Sequence, residues 1–231
     1  MAAVMGSTLF EASQLIEQKA MPFAASYLDV SMDEVDCDNG LFSAPATNKT
    51  VTMDELVRHV AQDDDVHPFN LAHQYTTKGA TYPYGCHIVE IEVDKATFQP
   101  HIDRYITVDD FGVILNPLTL AGQVHGGIAQ GIGQALYEHV AYDDDSQLLA
   151  GSLMDYTLPR ADHLPMFETY TYSTECQNNL LGVKGAGEAG AIGAPPAVIS
   201  GLCDALSIQH IDMPATLQHI WDAMKDRKDA A

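Results

Sequence analysis

Residues 180–196 read LLGVKGAGEAGAIGAPP, and the interpretation of the chain turns on them. One acid, Glu188, is set among glycines and alanines, with Lys184 four residues before it. Glycine lets a backbone adopt positive φ and lets a second molecule approach closely. A carboxylate presented on such a loop can be pressed against a ligand, and loss of water makes a carboxylate a stronger base. The plainer alternative is a tight structural turn with a solvated glutamate. Beyond the loop, Pro195 and Pro196 suit the first turn of a helix covering Ala194 to Ser207.

A second glycine-rich stretch lies upstream, GQVHGGIAQGIGQALYEH from Gly122 to His139. Its C-terminal half reads as helix, with Ile128, Ile132, Ala135, Leu136 and His139 on one side. Five glycines in its first twelve residues would each cost an ordinary helix about 1 kcal/mol relative to alanine. Close approach to another helix, or to a ligand, is the usual reason to accept that cost. Gln123 can both donate and accept hydrogen bonds, which suits a heterocyclic or oxo ligand. His125 and His139 are too far apart to chelate one metal from one face, and each reads as a packing or surface residue.

Between these stretches and the N-terminus the pattern mixes helices and strands. Thr8 to about Asp29 has a helical apolar stripe, with Pro22 as a kink or end. Short strands and a turn occupy Cys37 to Pro45. Thr52 and Glu55 form a capping box ahead of a short helix from Met53 to about Ala61. Tyr84 to Asp94 and Gln99 to Asp109 alternate as the arms of an antiparallel hairpin, the second placing Ile102, Arg104, Ile106 and Val108 on one side. Asn116-Pro117 then breaks the chain. Met166 to Ser173 is a further strand, and Pro214 to Lys225 a last amphipathic helix. No regular βαβ alternation appears, so the fold class is α+β.

At 231 residues and 46% hydrophobic content, the chain can bury a real core. A formal net charge of −21 argues against nucleic acid or an anionic membrane as partner. Acidic runs at Asp63-Asp64-Asp65 and Asp143-Asp144-Asp145 read as solvated loops, because they lack calcium-loop spacing. Cys37, Cys86, Cys176 and Cys203 show no metal-ligand spacing, so no metal site is expected on these residues. Scattered thiols fit a reducing compartment, and with no secretory pattern at the N-terminus the expected location is the cytoplasm.

Two familiar glycine motifs fail here. Gly185 to Gly190 matches GxGxxG, but it sets Glu188 where a pyrophosphate would sit, and too little chain follows for a dinucleotide-binding unit. A phosphate-binding P-loop fails because Lys184 precedes the glycines and no Ser or Thr follows it.

Three long stretches in order do carry a resemblance: GQVHGGIAQGIGQALYE (122–138), GSLMDYTLP (151–159) and GVKGAGEAGAIGAPPAV (182–198). They resemble the xanthine dehydrogenase / aldehyde oxidase / carbon monoxide dehydrogenase family, in the C-terminal portion of its molybdopterin-binding large subunit. The resemblance implies one C-terminal molybdenum-cofactor-binding domain over residues 1–231, encoded apart from the rest of the large subunit.

It implies that Glu188 is the catalytic base, taking a proton from a hydroxyl on molybdenum so that a water-derived oxygen reaches an electron-poor carbon. Gln123 matches a cofactor-contacting glutamine, with Gly122, Lys184 and Gly187 in the matching cofactor loops. The implied cofactor is molybdopterin, as its cytosine dinucleotide, with 2Fe-2S clusters and FAD on partner chains. The implied partners are the chain with the N-terminal part of the subunit, an iron–sulfur subunit, an FAD subunit and a small-molecule substrate. That substrate is an N-heterocycle, an aldehyde or a related molecule. The alternative is a non-catalytic module that completes a partner's fold. The carboxylate retained inside its whole motif argues for the enzyme.

Overall fold

The computed structural model of the chain describes residues 2–60 and 67–229. The acidic run at 63–65 and the expected end of the second helix at Ala61 lie outside them. The chain divides into two compact units, residues 1–79 with 178–181, and residues 80–177 with 182–231.

In the first unit α1 (Ala2–Leu28) passes through Pro22 without ending there, and it begins earlier than its apolar stripe suggests. Its buried Ala20, Ala24, Ala25 and Leu28 pack with Phe42, Val51 and Leu56. Three antiparallel strands, β1 (Asp36–Asp38), β2 (Leu41–Ala44) and β3 (Lys49–Thr52), lead into α2 (Met53–Val60). The capping box forms as expected. The Glu55 N–H donates to Thr52 Oγ1 at 3.2 Å, and the Thr52 N–H donates to Glu55 Oε2 at 2.9 Å.

The second unit holds the candidate site. Strands β4 (Tyr84–Val93) and β5 (Pro100–Asp110) pair antiparallel, and β6 (Phe167–Thr171) joins β5 in parallel. Arg104 bridges the three strands on the exposed face, to Glu168 at 2.8 Å and Glu90 at 3.3 Å. Helix α4 (Ala189–Leu206) covers β4, and α3 (Pro117–Leu136) packs on α4. Their shared core includes Ile102, Tyr105, Ile128, Ile132, Val198 and Leu202. The last helix, α5 (Leu217–Asp229), adds Ile220 to it. By length and composition α4 could cross a bilayer, but here it is the core helix of this unit.

Three local features depart from the expected pattern. Asn116-Pro117 starts a helix instead of only breaking the chain. The Asn116 side chain accepts from the Thr119 N–H at 3.1 Å, and Pro117 takes the first helical position. All of the glycine-rich stretch through Leu136 is therefore helical. Second, the register of the hairpin shifts between Glu90 and Ile91, which face Arg104 and Ile102 and leave Asp103 as an extra residue. The bulge reverses which residues face the core. Ile102 is buried before it, and Tyr105, Thr107 and Asp109 after it, while Val108 is exposed.

Third, α4 starts at Ala189, so Pro195 and Pro196 lie inside the helix rather than in its first turn. Proline in a helix interior removes a hydrogen bond at a cost of about 3 kcal/mol. Here packing outweighs that cost, because Pro195 is buried against α3 at Gly131.

Candidate functional site

The loop before Glu188 is pinned by backbone bonds to the end of β5 and the segment ahead of β4. The Val113 N–H and the Cys176 N–H both donate to the Gly182 carbonyl, at 2.9 and 3.0 Å. The Lys184 N–H donates to the Phe111 carbonyl at 2.8 Å, and the Gly185 N–H to the Thr81 carbonyl at 2.9 Å. Gly112, at φ 63°, makes this closeness possible. A methyl group on it would sit 2.2 Å from the Gly182 carbonyl oxygen.

The Lys184 side chain turns inward. Its Nζ lies 2.7 Å from Asp110 Oδ2, donates to Thr174 Oγ1 at 2.9 Å, and sits 4.5 Å from the centre of the Tyr84 ring. The side chain is only 6% exposed. Burial works against the Asp110 charge. Lys184, the Thr174 hydroxyl and the Gly112 and Thr174 N–H groups outweigh it and hold this carboxyl well below the usual range. Lys184 is thus engaged within the chain, in an arrangement that fixes the loop.

Glu188 follows as the N-cap of α4, with φ −117° and ψ −1°, and its side chain makes no capping hydrogen bond. It is exposed. Its carbonyl accepts the first helical bond, from the Ile192 N–H at 2.9 Å. Immediately before it, the Gly187 carbonyl accepts from Gln123 Nε2 at 2.7 Å. The fold therefore brings Gln123 on α3 to the residue preceding Glu188, although the two are far apart in the chain.

The glycines of this region divide by what they face. A methyl group on Gly127 would lie 2.9 Å from the Ala191 nitrogen. One on Gly190 would lie 2.5 Å from the Val124 carbonyl oxygen, and one on Gly131 2.6 Å from Ala194 Cβ. These positions let α3 and α4 meet backbone to backbone. A methyl group on Gly122, Gly126 or Gly187 would meet nothing within 4 Å among the described residues. Those three are exposed around Gln123 and Glu188, and they form a surface that a planar or phosphate-bearing group can approach at backbone distance.

Beneath the first turns of α4 runs a buried polar chain that sequence reading did not single out. His87 Nδ1 lies 2.6 Å from the Tyr105 hydroxyl, and its Nε2 3.4 Å from Asp109 Oδ1. Thr107 Oγ1 donates to Asp109 Oδ2 at 2.6 Å. Burial, and then the Asp109 charge, push the Tyr105 phenol up, so it remains a hydroxyl donor. An imidazole proton on Nε2 would satisfy both contacts, facing the Asp109 carboxylate and leaving Nδ1 to accept from the Tyr105 hydroxyl. A cavity of about 240 Å³ opens here, walled by Tyr82, Tyr84, His87, Asp109, Ala189 and Ile192. A larger one of about 600 Å³, between the β4–β5 turn and α5, shares no residue with the Glu188 surroundings.

The signal for this chain was present as alternating polar residues on β5. The bulge at Asp103 concealed that they face inward. Among the described residues no group of three or more His, Cys, Asp or Glu side chains is placed to hold a metal ion, and the four cysteines are free.

The sequence profile of a family described as a molybdopterin cofactor-binding domain matches residues 1–165. The large subunit of nicotine 6-hydroxylase from Paenarthrobacter nicotinovorans is 32% identical over 97% of this chain. The carbon monoxide dehydrogenase large chain of Hydrogenophaga pseudoflava is 29% identical over 96% of it. Among solved structures, quinoline 2-oxidoreductase from Pseudomonas putida 86 superposes with a TM-score of 0.83 at 27% identity over 97% of this chain. Carbon monoxide dehydrogenase from Oligotropha carboxidovorans gives 0.84 at 28% identity over 98%. In each case the aligned part is 29–30% of the other protein, so the chain spans under a third of the length of the relatives it matches.

Proposed function

The chain belongs to the molybdopterin cofactor-binding domain family of molybdenum hydroxylase large subunits, and on that premise we propose that it forms one wall of a hydroxylase active site with Glu188 as the base. The observation that supports this most is the coincidence of three features. Glu188 is exposed at the N-cap of α4 with no capping bond. Gln123 holds the carbonyl immediately before it. Gly122, Gly126 and Gly187 surround the pair with backbone that nothing covers within 4 Å among the described residues.

These residues fit a molybdopterin group. Gly122, Gly126 and Gly187 admit it at backbone distance, and Gln123 offers the amide that orients it. When bound, the cofactor supplies the two-electron oxidation and the site of water-derived oxygen. The chain's own contribution is to keep Glu188 within reach of the proton to be removed and to keep its loop still. Lys184 contributes by fixing that loop rather than by donating to the cofactor.

The substrate is a small molecule of the kind named in the relatives, an N-heterocycle in the first instance. The nicotine and quinoline enzymes are named for such substrates. We further propose the cytosine dinucleotide form of the cofactor, 2Fe-2S and FAD on partner chains, a partner with the rest of the large subunit, and a cytoplasmic location. Activity then requires the assembled complex.

The test is Glu188→Gln in that complex, with steady-state turnover and molybdenum content measured together. The replacement keeps shape and removes the proton-accepting charge. General-base catalysis is worth roughly 10²–10⁴-fold, so turnover should fall at least about 10²-fold with molybdenum content intact. Near-normal turnover would reject Glu188 as the base. Joint loss of metal and activity would instead make it a structural or cofactor-holding residue.

A further inference from the structure

The last two residues of β5 are both acidic, and their side chains serve different neighbours. Asp109 is 3% exposed and lies under α4 with Thr107 and His87. His87 is itself 6% exposed in its side chain, and α4 crosses it in contact. A methyl group on Gly193 would lie 2.5 Å from the imidazole ring. Asp110 takes the Lys184 ammonium, the Thr174 hydroxyl and two backbone N–H groups, those of Gly112 and Thr174. Lys184 is four residues before Glu188, and Gly193 five residues after it. Glu188 therefore sits on a short span of chain held at each end by one of two consecutive carboxylates.

We propose that Asp109 and Asp110 are positioning residues for Glu188. Asp110 acts through Lys184 on the loop before it, and Asp109 through His87 on the α4 turn after it. The inference rests on the reading of Glu188 as the base. Neither carboxylate touches the reacting atoms. The span between the anchors is Gly185-Ala186-Gly187-Glu188-Ala189-Gly190-Ala191-Ile192. Its three glycines give it little stiffness of its own. Residues 189–192 are already steadied by the first turn of α4 and its packing on α3. For residues 185–188 rigidity comes from the Lys184 anchor, the Gly185 N–H bond to the Thr81 carbonyl and the Gln123 bond to Gly187. The His87 contact at Gly193 fixes where the helix turn lies. Strand β5 is a suitable base for both anchors, because it is the central strand of its sheet, paired with β4 and β6.

A base that drifts by about 1 Å can lose on the order of 10²-fold in rate, while binding of substrate by other surfaces is unaffected. The test uses Asp110→Asn and His87→Gln in the assembled complex. Three quantities are measured: kcat and KM separately, thermal unfolding, and amide hydrogen exchange of residues 185–192 by mass spectrometry. The expected result is a kcat lowered about 10- to 100-fold, a KM within about twofold of normal, and faster exchange confined to 185–192. If Asp110→Asn does not assemble, the paired replacement Asp110→Leu with Lys184→Met, neutral on both sides, is judged by the same readouts.

A kcat that falls only in proportion to thermal stability, or unchanged exchange at 185–192, overturns the positioning role. The two readings separate cleanly. If Glu188→Gln abolishes turnover while these variants leave kcat and exchange unchanged, the positioning inference alone fails. If Glu188→Gln retains turnover, the base assignment fails first. Exchange at 185–192 then still reports whether the two carboxylates hold the loop.

Discussion

On α3, Gly127 and Gly131 form one stripe, and Gly122 and Gly126 form another about 140° round the helix. The first stripe is buried against α4, where any side chain would strike the Gly190–Pro195 segment. The second is exposed beside Gln123. A fifth glycine, Gly133, gives way to the side chains of Glu138 and Pro159. One run of glycines thus answers to two demands. Close helix packing and an open approach surface were alternative explanations for it, and the structure divides the positions between them. Packing of α3 on α4 also fixes where Gln123 stands relative to Gly187. The buried stripe therefore sets the geometry of the exposed one.

This division can be broken most severely at Gly190. The neighbours of an added methyl there are backbone atoms: the Val124 oxygen at 2.5 Å, the Ile128 nitrogen at 2.7 Å and the Gly127 carbonyl carbon at 3.0 Å. None can swing aside as a side-chain tip could. Gly190→Ala should destabilise the fold by about 1–3 kcal/mol or more through overpacking, against the small gain that alanine gives a helix. Chemical denaturation, or failure to assemble, would register it. Tolerance of alanine at Gly190 would mean that α3 and α4 do not meet as closely as described.

How far the chain could be read in advance follows the same physical lines. The capping box at Thr52 and Glu55 and the β4–β5 hairpin depend on neighbouring residues, and they were legible. So were the glycine stretches, because the cost of glycine in a helix is a local signal. Three things were not. The bulge at Asp103 arises from pairing with β4, and it hid the inward-facing Tyr105, Thr107 and Asp109. Prolines 195 and 196 were read as a helix start because their local cost is high. Only contact with α3 makes them tolerable inside α4. The inward turn of Lys184 depends on Asp110, which lies 74 residues away in the chain. No local pattern could announce that partner.

The exposed stripe gives a smaller effect of opposite sign. Gly126→Ala meets nothing within 4 Å and removes a glycine from a helix interior, so it should stabilise the chain by up to about 1 kcal/mol. If Gly126 admits the cofactor at backbone distance, the same change should lower molybdenum retention in the complex. Stability measured by denaturation and metal measured on the purified complex should then move in opposite directions. Unchanged metal content would leave Gly126 as an ordinary surface glycine and shrink the approach surface to Gly122, Gln123 and Gly187.

The smallest effect tests the boundary of that surface, using two neighbours on the same helix turn. Gln123 donates to the Gly187 carbonyl at 2.7 Å. His125 instead faces β6, with its Nε2 3.5 Å from Thr169 Oγ1 and its ring edge-on to Phe167 at 5.6 Å between centres. Both side chains are exposed, so each substitution should alter stability little. An exposed hydrogen bond such as that of Gln123 is worth about 0.5–1.5 kcal/mol, and loss of the His125 contacts should stay within about 0.5 kcal/mol. Their consequences should nevertheless differ. Gln123→Ala removes the bond that steadies the residue before Glu188, so turnover or molybdenum retention should fall while the complex stays assembled. His125→Ala should leave turnover and metal content near normal, because its contacts run to the sheet and not to the Glu188 loop. Equal losses in the two variants would show that the response belongs to α3 as a whole, and Gln123 would lose its separate role.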